Sequence, residues 1–350
     1  MNPAYQKIIS ARAGDQRDLF LTAANRLGTT VQNIEKDFWV CWTLDALFHY
    51  LKEGGPRLLF KGGTSLSKGY GLISRFSEDI DVTVFREDIG EAASAEDLEA
   101  LSRRKRGERL DAIKAACQSY INDTLRVELA ALAKKTMEAA GKKPADLEVV
   151  LDGDDPDRQS LAIHYPSAVE KSDYVIPTIK IESGAKSALD PHEDRTITPY
   201  LSPDVPGGDA LAVKAVMTID PERTFLDKIL ILHGMTYFFE AKGTLRGNGR
   251  MSRHYYDVHQ LMAAPVGKKA CVDNALIEDC VRHARMFFHR GNTGLDVAKR
   301  GSFRLSPIKG MTEPLQSDYS AMATMIFGAV PKFDEVLASV ADAEKRLNSL

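Results

Sequence analysis

The stretch from Arg57 to Val84 constrains this chain more than any other. It holds Arg57-Leu58-Leu59-Phe60, then Lys61-Gly62-Gly63-Thr64-Ser65-Leu66-Ser67-Lys68, then Ser77-Glu78-Asp79-Ile80-Asp81-Val82-Thr83-Val84. Side chains alternate faces along a strand, so a strand over Asp79–Val84 points both aspartates one way and sends Ile80 and Val82 into a core. The upstream apolar run predicts a second short strand that feeds Gly62-Gly63, with Thr64 to Lys68 opening a helix. Glycine lets a backbone approach an anion closely, and the exposed amides of a helix start favour phosphate.

Two carboxylates on one strand face make a hard-oxygen site that suits Mg²⁺ or Mn²⁺, ions commonly held by a carboxylate or two plus substrate phosphates. An Asp-x-Asp alone is often a solvated loop, and Gly-Gly alone is a turn. The order strand, glycine turn, helix, acidic strand is what places a phosphate cradle beside a metal site. Gly62, Gly63, Thr64 and Ser65 are therefore the expected nucleotide ligands. Lys61 or Lys68 would add a point charge, and Ser77, two residues before Asp79, stands within reach of a phosphate.

These motifs resemble the DNA polymerase β-like nucleotidyltransferase superfamily. More narrowly, Lys61 to Lys68 with Arg75-Phe76-Ser77-Glu78-Asp79-Ile80-Asp81 resembles the AbiEii/AbiGii toxin family, which includes the MenT enzymes. Ile34-Glu35-Lys36-Asp37, Ile179-Lys180-Ile181-Glu182, Glu222 to Lys228 and Arg253-His254-Tyr255-Tyr256-Asp257 extend the likeness through most of the chain. The superfamily's second turn residue is usually serine, and here Gly63 and Thr64 occupy that region. The resemblance implies an NTP substrate, a catalytic set of Asp79, Asp81, Lys228 and Asp257, and a third carboxylate from a later strand. Glu182 is the first candidate for that carboxylate, with Asp152, Asp154 and Asp155 as substitutes; an ordinary salt-bridge face on an edge strand is the other reading of Lys180 and Glu182. The resemblance also implies a toxin with a cognate antitoxin, and nucleotide addition to the 3′ end of tRNA. A protein-modifying nucleotidyltransferase and a non-catalytic nucleotide-binding module are the competing readings.

With 350 residues and 44% hydrophobic content, the chain is long enough for a sizeable core. A formal net charge of −3 excludes a generally basic nucleic-acid binder. RNA contact would have to come from local patches such as Arg103 to Arg106, or Lys242, Arg246, Arg250 and Arg253. The four cysteines lack metal-ligand spacing. No run approaches membrane-spanning length, so a cytoplasmic protein without membrane partners is expected.

The expected fold class is α+β, a polymerase β-like core with a mixed, partly antiparallel sheet and a helical C-terminal region. Residues 1–54 form a helical segment packed on the core, with Trp39 at the edge of its apolar stripe and Lys36-Asp37 exposed or near substrate. Residues 55–218 form the catalytic core, interrupted by a charged helical insertion at about 95–140. Strands are expected at Leu147–Leu151, Leu161–Tyr165, Tyr174–Glu182, Thr196–Leu201 and Leu211–Val216. Residues 219–350 form a helical domain that completes the active site. Asp220-Pro221-Glu222 signals its first helix, and Arg253 and Asp257 are spaced to pair along a later one.

Overall fold

The computed structural model of the protein describes residues 1–170, 176–245 and 249–349. Tyr174 and Val175 of the expected strand, and Arg246 of the second basic patch, lie outside the described residues. Two compact units are formed. The first comprises Met1–Gly69, Phe76–Ala93 and Gly107–Thr218; the second comprises Tyr70–Arg75, Ser94–Arg106 and Ile219–Leu350.

The first unit opens with α1 (Pro3–Ser10), α2 (Ala13–Leu27) and α3 (Val31–His49). Thr30 starts α3 by accepting the Asn33 amide on its hydroxyl, satisfying one of the orphan donors of a helix start. Every residue from Asn33 to Leu47 is buried. Trp39 is thus inside the core, stacked on Tyr165 and edge-on to Phe38 and Trp42.

The sheet follows, with β1 (Leu58–Lys61), the single turn α4 (Gly62–Thr64) and β2 (Ile80–Val84). The short helix α5 (Ala95–Glu99) precedes α6 (Arg103–Ser119) and α7 (Arg126–Ala139), and the remaining strands are β3 (Glu148–Leu151), β4 (Ser160–His164), β5 (Thr178–Gly184), β6 (His192–Ile197) and β7 (Val213–Ile219). The seven strands run in the order β3-β4-β5-β2-β1-β7-β6. β2 is antiparallel to β1 and parallel to β5, so the sheet is mixed as its short successive strands predict. β5 lies between β4 and β2 and is not an edge strand. The strand expected at Thr196–Leu201 instead occupies His192–Ile197 at the sheet's edge, where its mostly exposed, charged residues carry no apolar alternation.

The second unit is largely helical. It holds α5, α8 (Pro221–Lys242), α9 (Ser252–Ala263), α10 (Pro265–Ala270), α11 (Asn274–Phe287), α12 (Thr312–Met322) and α13 (Phe333–Asn348). Pro221 at the first helical position and an acidic Glu222 begin α8, and left-handed Gly243 ends it. α13 packs on α9, where His259 Nδ1 and Ser339 Oγ lie 2.8 Å apart. Among the described residues no helix is long and apolar enough to cross a membrane.

Candidate active site

Gly62 ties the turn to the acidic strand. Its φ of +79° is one that side-chain-bearing residues rarely adopt, and a Cβ there would lie 1.9 Å from Asp81 Oδ2. The backbone of the turn therefore rests directly on the second aspartate. Register explains the contact: β1 pairs with β2 so that Lys61 faces Asp81, and β2 pairs with β5 so that Asp81 faces Glu182. Residues paired across a sheet point to the same face, so Lys61, Asp81 and Glu182 form a row across three strands. Ile80, Val82 and Val84 are fully buried and hold β2 in place.

The turn is pinned a second time. The Thr64 hydroxyl donates to the main-chain carbonyl of Asp79 and lies 2.9 Å from Ser77 Oγ. Ser65 donates to the Gly62 carbonyl at 2.9 Å. Both side chains are fully buried, so these hydroxyls shape the cradle, and the glycine backbone is what faces outward. After Thr64 the helix widens to π-type bonding over Ser65–Gly69, a distortion often found at functional sites.

Lys68 departs from its expected role as a nucleotide ligand. Its side chain is 3% exposed and sits 2.6 Å from Asp37 Oδ1, over the ring of Tyr200. Burial opposes the charge, but Asp37, Cys41 and Tyr200 outweigh it and hold the ammonium's pKa above the usual lysine range. Asp37 also accepts the Tyr200 amide at 2.6 Å. The half-buried lysine beside the turn is Lys61, 3.8 Å from Asp81 Oδ1.

Neither Lys36 nor Asp37 is an exposed helical charge. Both are buried in the first turns of α3, Asp37 on Lys68 and Lys36 at 2.5 Å from Glu78 Oε2. Two neighbouring residues of one buried helix thus hold the helix after the glycine turn and the residue before Asp79. Sequence reading did not single out Glu78 or Arg75 as partners, though both fall inside the motif that carries the family likeness.

Asp79 carries the strongest electrostatic signature of the site. Burial raises its pKa, and Glu78, Glu182 and Asp81 add to the rise against the pull of Lys36, leaving it at about 6. Asp79 is a half-buried carboxylate crowded by three others, with Lys36 pulling against them from the side of Glu78. That fits a divalent cation. The arrangement is open: among the described residues no three acidic, histidine or cysteine side chains close into a ready-made cage, and Glu182 Oε1 lies 3.3 Å from Lys180, which also binds Asp152 at 2.9 Å. Asp155 is spent on the amides of Asp157 and Gln159 in its own loop.

The raised carboxyl gives a pH prediction. A group whose folded-state pKa exceeds its unfolded value adds stability only at low pH, and that contribution is lost as pH rises through about 6. Asp79→Asn should therefore unfold at higher urea than wild type at pH 8, by on the order of 1–2 kcal/mol after screening is allowed for. At pH 4.5 in the same metal-free buffer the two should converge. Parallel unfolding curves across that range would show that no such charge crowding exists.

The second unit carries its own buried cluster. Arg75 grips Asp257 with two bonds, Nε to Oδ1 at 2.7 Å and a terminal nitrogen to Oδ2 at 2.9 Å, and Lys228 Nζ lies 2.8 Å from the same Oδ2. The pairing of Asp257 with Arg253 expected from spacing does not form; Arg75 and Lys228 take its place. Burial would raise the Asp257 pKa, but Arg75 and Lys228 outweigh it and hold the carboxyl well below its usual range. Burial drives the neighbouring His254 imidazole far below its normal range, with Lys228 and Arg253 adding to the shift.

A glycine turn seated against an Asp-x-Asp strand, inside a mixed sheet with a helical C-terminal unit, defines a nucleotidyltransferase. Comparison with known families agrees: the model described as nucleotidyl transferase AbiEii toxin, type IV toxin–antitoxin system, matches residues 45–339. The chain belongs to the AbiEii nucleotidyltransferase toxin family. Among solved structures it is similar to MenT4, nucleotidyltransferase toxin Rv2826c from Mycobacterium tuberculosis H37Rv, at 15% identity and a TM-score of 0.47 over 95% of this chain and 90% of that one. No curated protein matches it in sequence.

Proposed function

We propose that this enzyme transfers a nucleoside monophosphate from an NTP to the 3′ end of tRNA and releases pyrophosphate. The contact of Gly62 with Asp81 carries the chemical part of this reading, because it brings a phosphate cradle to a metal-ready carboxylate. Support for tRNA comes from the likeness to the AbiEii and MenT enzymes. A cognate antitoxin and a cytoplasmic location belong to the same reading.

Asp79 and Asp81 would hold a divalent ion, Mg²⁺ or Mn²⁺, with Glu182 in reserve on the neighbouring strand. When bound, such an ion neutralises the triphosphate and stabilises charge on the attacking and leaving oxygens. The protein's own part is positioning. The Gly62-Gly63 backbone receives the phosphates, Thr64 and Ser77 fix the distance between turn and strand, and Lys61 lends a cation beside Asp81. Lys228 and Asp257 enter the catalytic set through the family likeness, and within the second unit Asp257 fixes the direction of the Lys228 ammonium.

Each α-labelled NTP, incubated in turn with total tRNA and with total cell protein, tests the reading. Label in tRNA, removable from its 3′ end, is the expected result. Label in protein would replace the tRNA acceptor with a protein hydroxyl, and nucleotide binding without transfer to either would leave a binding module.

A further inference from the structure

Three lysines from three elements stand against four carboxylates around the turn. Lys36 of α3 is 2.5 Å from Glu78, Lys61 at the end of β1 is 3.8 Å from Asp81, and Lys180 of β5 lies between Asp152 at 2.9 Å and Glu182 at 3.3 Å. Among the described residues Asp79 has no such partner. Lys36 is buried, whereas the Lys61 and Lys180 side chains are 28% and 35% exposed and end at the surface. A carboxylate row meant to hold a bare divalent ion gains nothing from ammonium groups on it, since each neighbouring cation weakens the pull on a second one.

We propose that Lys61 and Lys180 are positioning residues that keep the site closed to a bare divalent ion, so that the metal enters as its complex with the nucleotide. The triphosphate supplies the extra negative charge that the lysines have removed. Lys61 and Lys180, being partly exposed, are free to exchange a carboxylate for phosphate oxygens on its arrival, while buried Lys36 stays on Glu78. This inference rests on the metal-dependent reading above and adds an order of events to it.

The test reads binding rather than turnover. Mn²⁺ is titrated into the full-length protein and the unbound ion is counted by electron paramagnetic resonance, with and without an α,β-methylene NTP analogue and with an analogue-only control. Wild type should retain Mn²⁺ at least about tenfold more weakly alone than with the analogue, and K61M/K180M should tighten binding of Mn²⁺ alone by about tenfold. K61R/K180R, which keeps both charges, should behave as wild type. Far-ultraviolet circular dichroism confirms that each variant is folded, and the single variants K61M and K180M serve if the double one is not. Wild type binding Mn²⁺ alone as tightly as the methionine variants would overturn the lysine inference and leave the metal site standing. Analogue binding that recruits no Mn²⁺ in any variant would sink both.

Discussion

Asp81→Asn is expected to cut nucleotide transfer by about a thousandfold or more while leaving the fold in place. Asparagine keeps the shape of the side chain and loses its charge, so the loss would fall on cation binding and not on packing. The strand itself is anchored by Ile80, Val82 and Val84, which are buried and untouched by the change. Gly62→Ala should reach the same end by another route. Its methyl group would collide with the Asp81 carboxylate and force the backbone from a φ that L-residues avoid, at a cost of about 1–3 kcal/mol. Both variants should retain the wild-type circular dichroism spectrum. Incorporation of α-labelled NTP measured under single-turnover conditions checks the pair, and transfer by Asp81→Asn at more than about a tenth of the wild-type rate would remove the proposed metal site.

The parts of this site that were legible in the sequence are those governed by local rules. A period of two placed Asp79 and Asp81 together with buried Ile80 and Val82, and a glycine pair between a short apolar run and a helix start placed the turn. What was illegible depends on partners distant in the chain. Nothing local marks Lys68 as buried, because its partner Asp37 is on a helix that buries its charged residues along with its apolar ones from Asn33 to Leu47, which an apolar stripe does not foretell. Asp257 was expected to pair with Arg253 four residues away, yet its partner Arg75 is 182 residues distant in sequence. Strand β6 escaped for a different reason: His192-Glu193-Asp194-Arg195 reads as a loop, and only its place at the sheet's edge makes so polar a strand workable.

Asp257→Asn should destabilise the protein by about 3–5 kcal/mol at pH 7, because it removes the anion from between two buried cations. Arg75, Asp257 and Lys228 are all nearly inaccessible to water, so hydration cannot stand in for the lost carboxylate charge. The pH dependence follows from the sign of the shift. A carboxyl whose folded pKa is depressed contributes stability at pH values above its unfolded pKa of about 3.9, and that contribution is lost as pH falls through and below that value. The variant's deficit should therefore be full at pH 7 and shrink toward acid, as denaturant unfolding at pH 7, 5 and 3 would measure. A second substitution separates the roles of the cluster. Lys228→Met on the Asp257→Asn background removes one of the two cations that face position 257 and should return part of the lost stability, a coupling that a double-mutant cycle reports directly. Lys228→Met alone leaves Arg75 and Asp257 paired, so it should cost less stability than Asp257→Asn while abolishing transfer if its ammonium acts on the triphosphate. A loss below about 1 kcal/mol for Asp257→Asn would mean that the Asp257 carboxylate is not strongly coupled to Arg75 and Lys228 in solution.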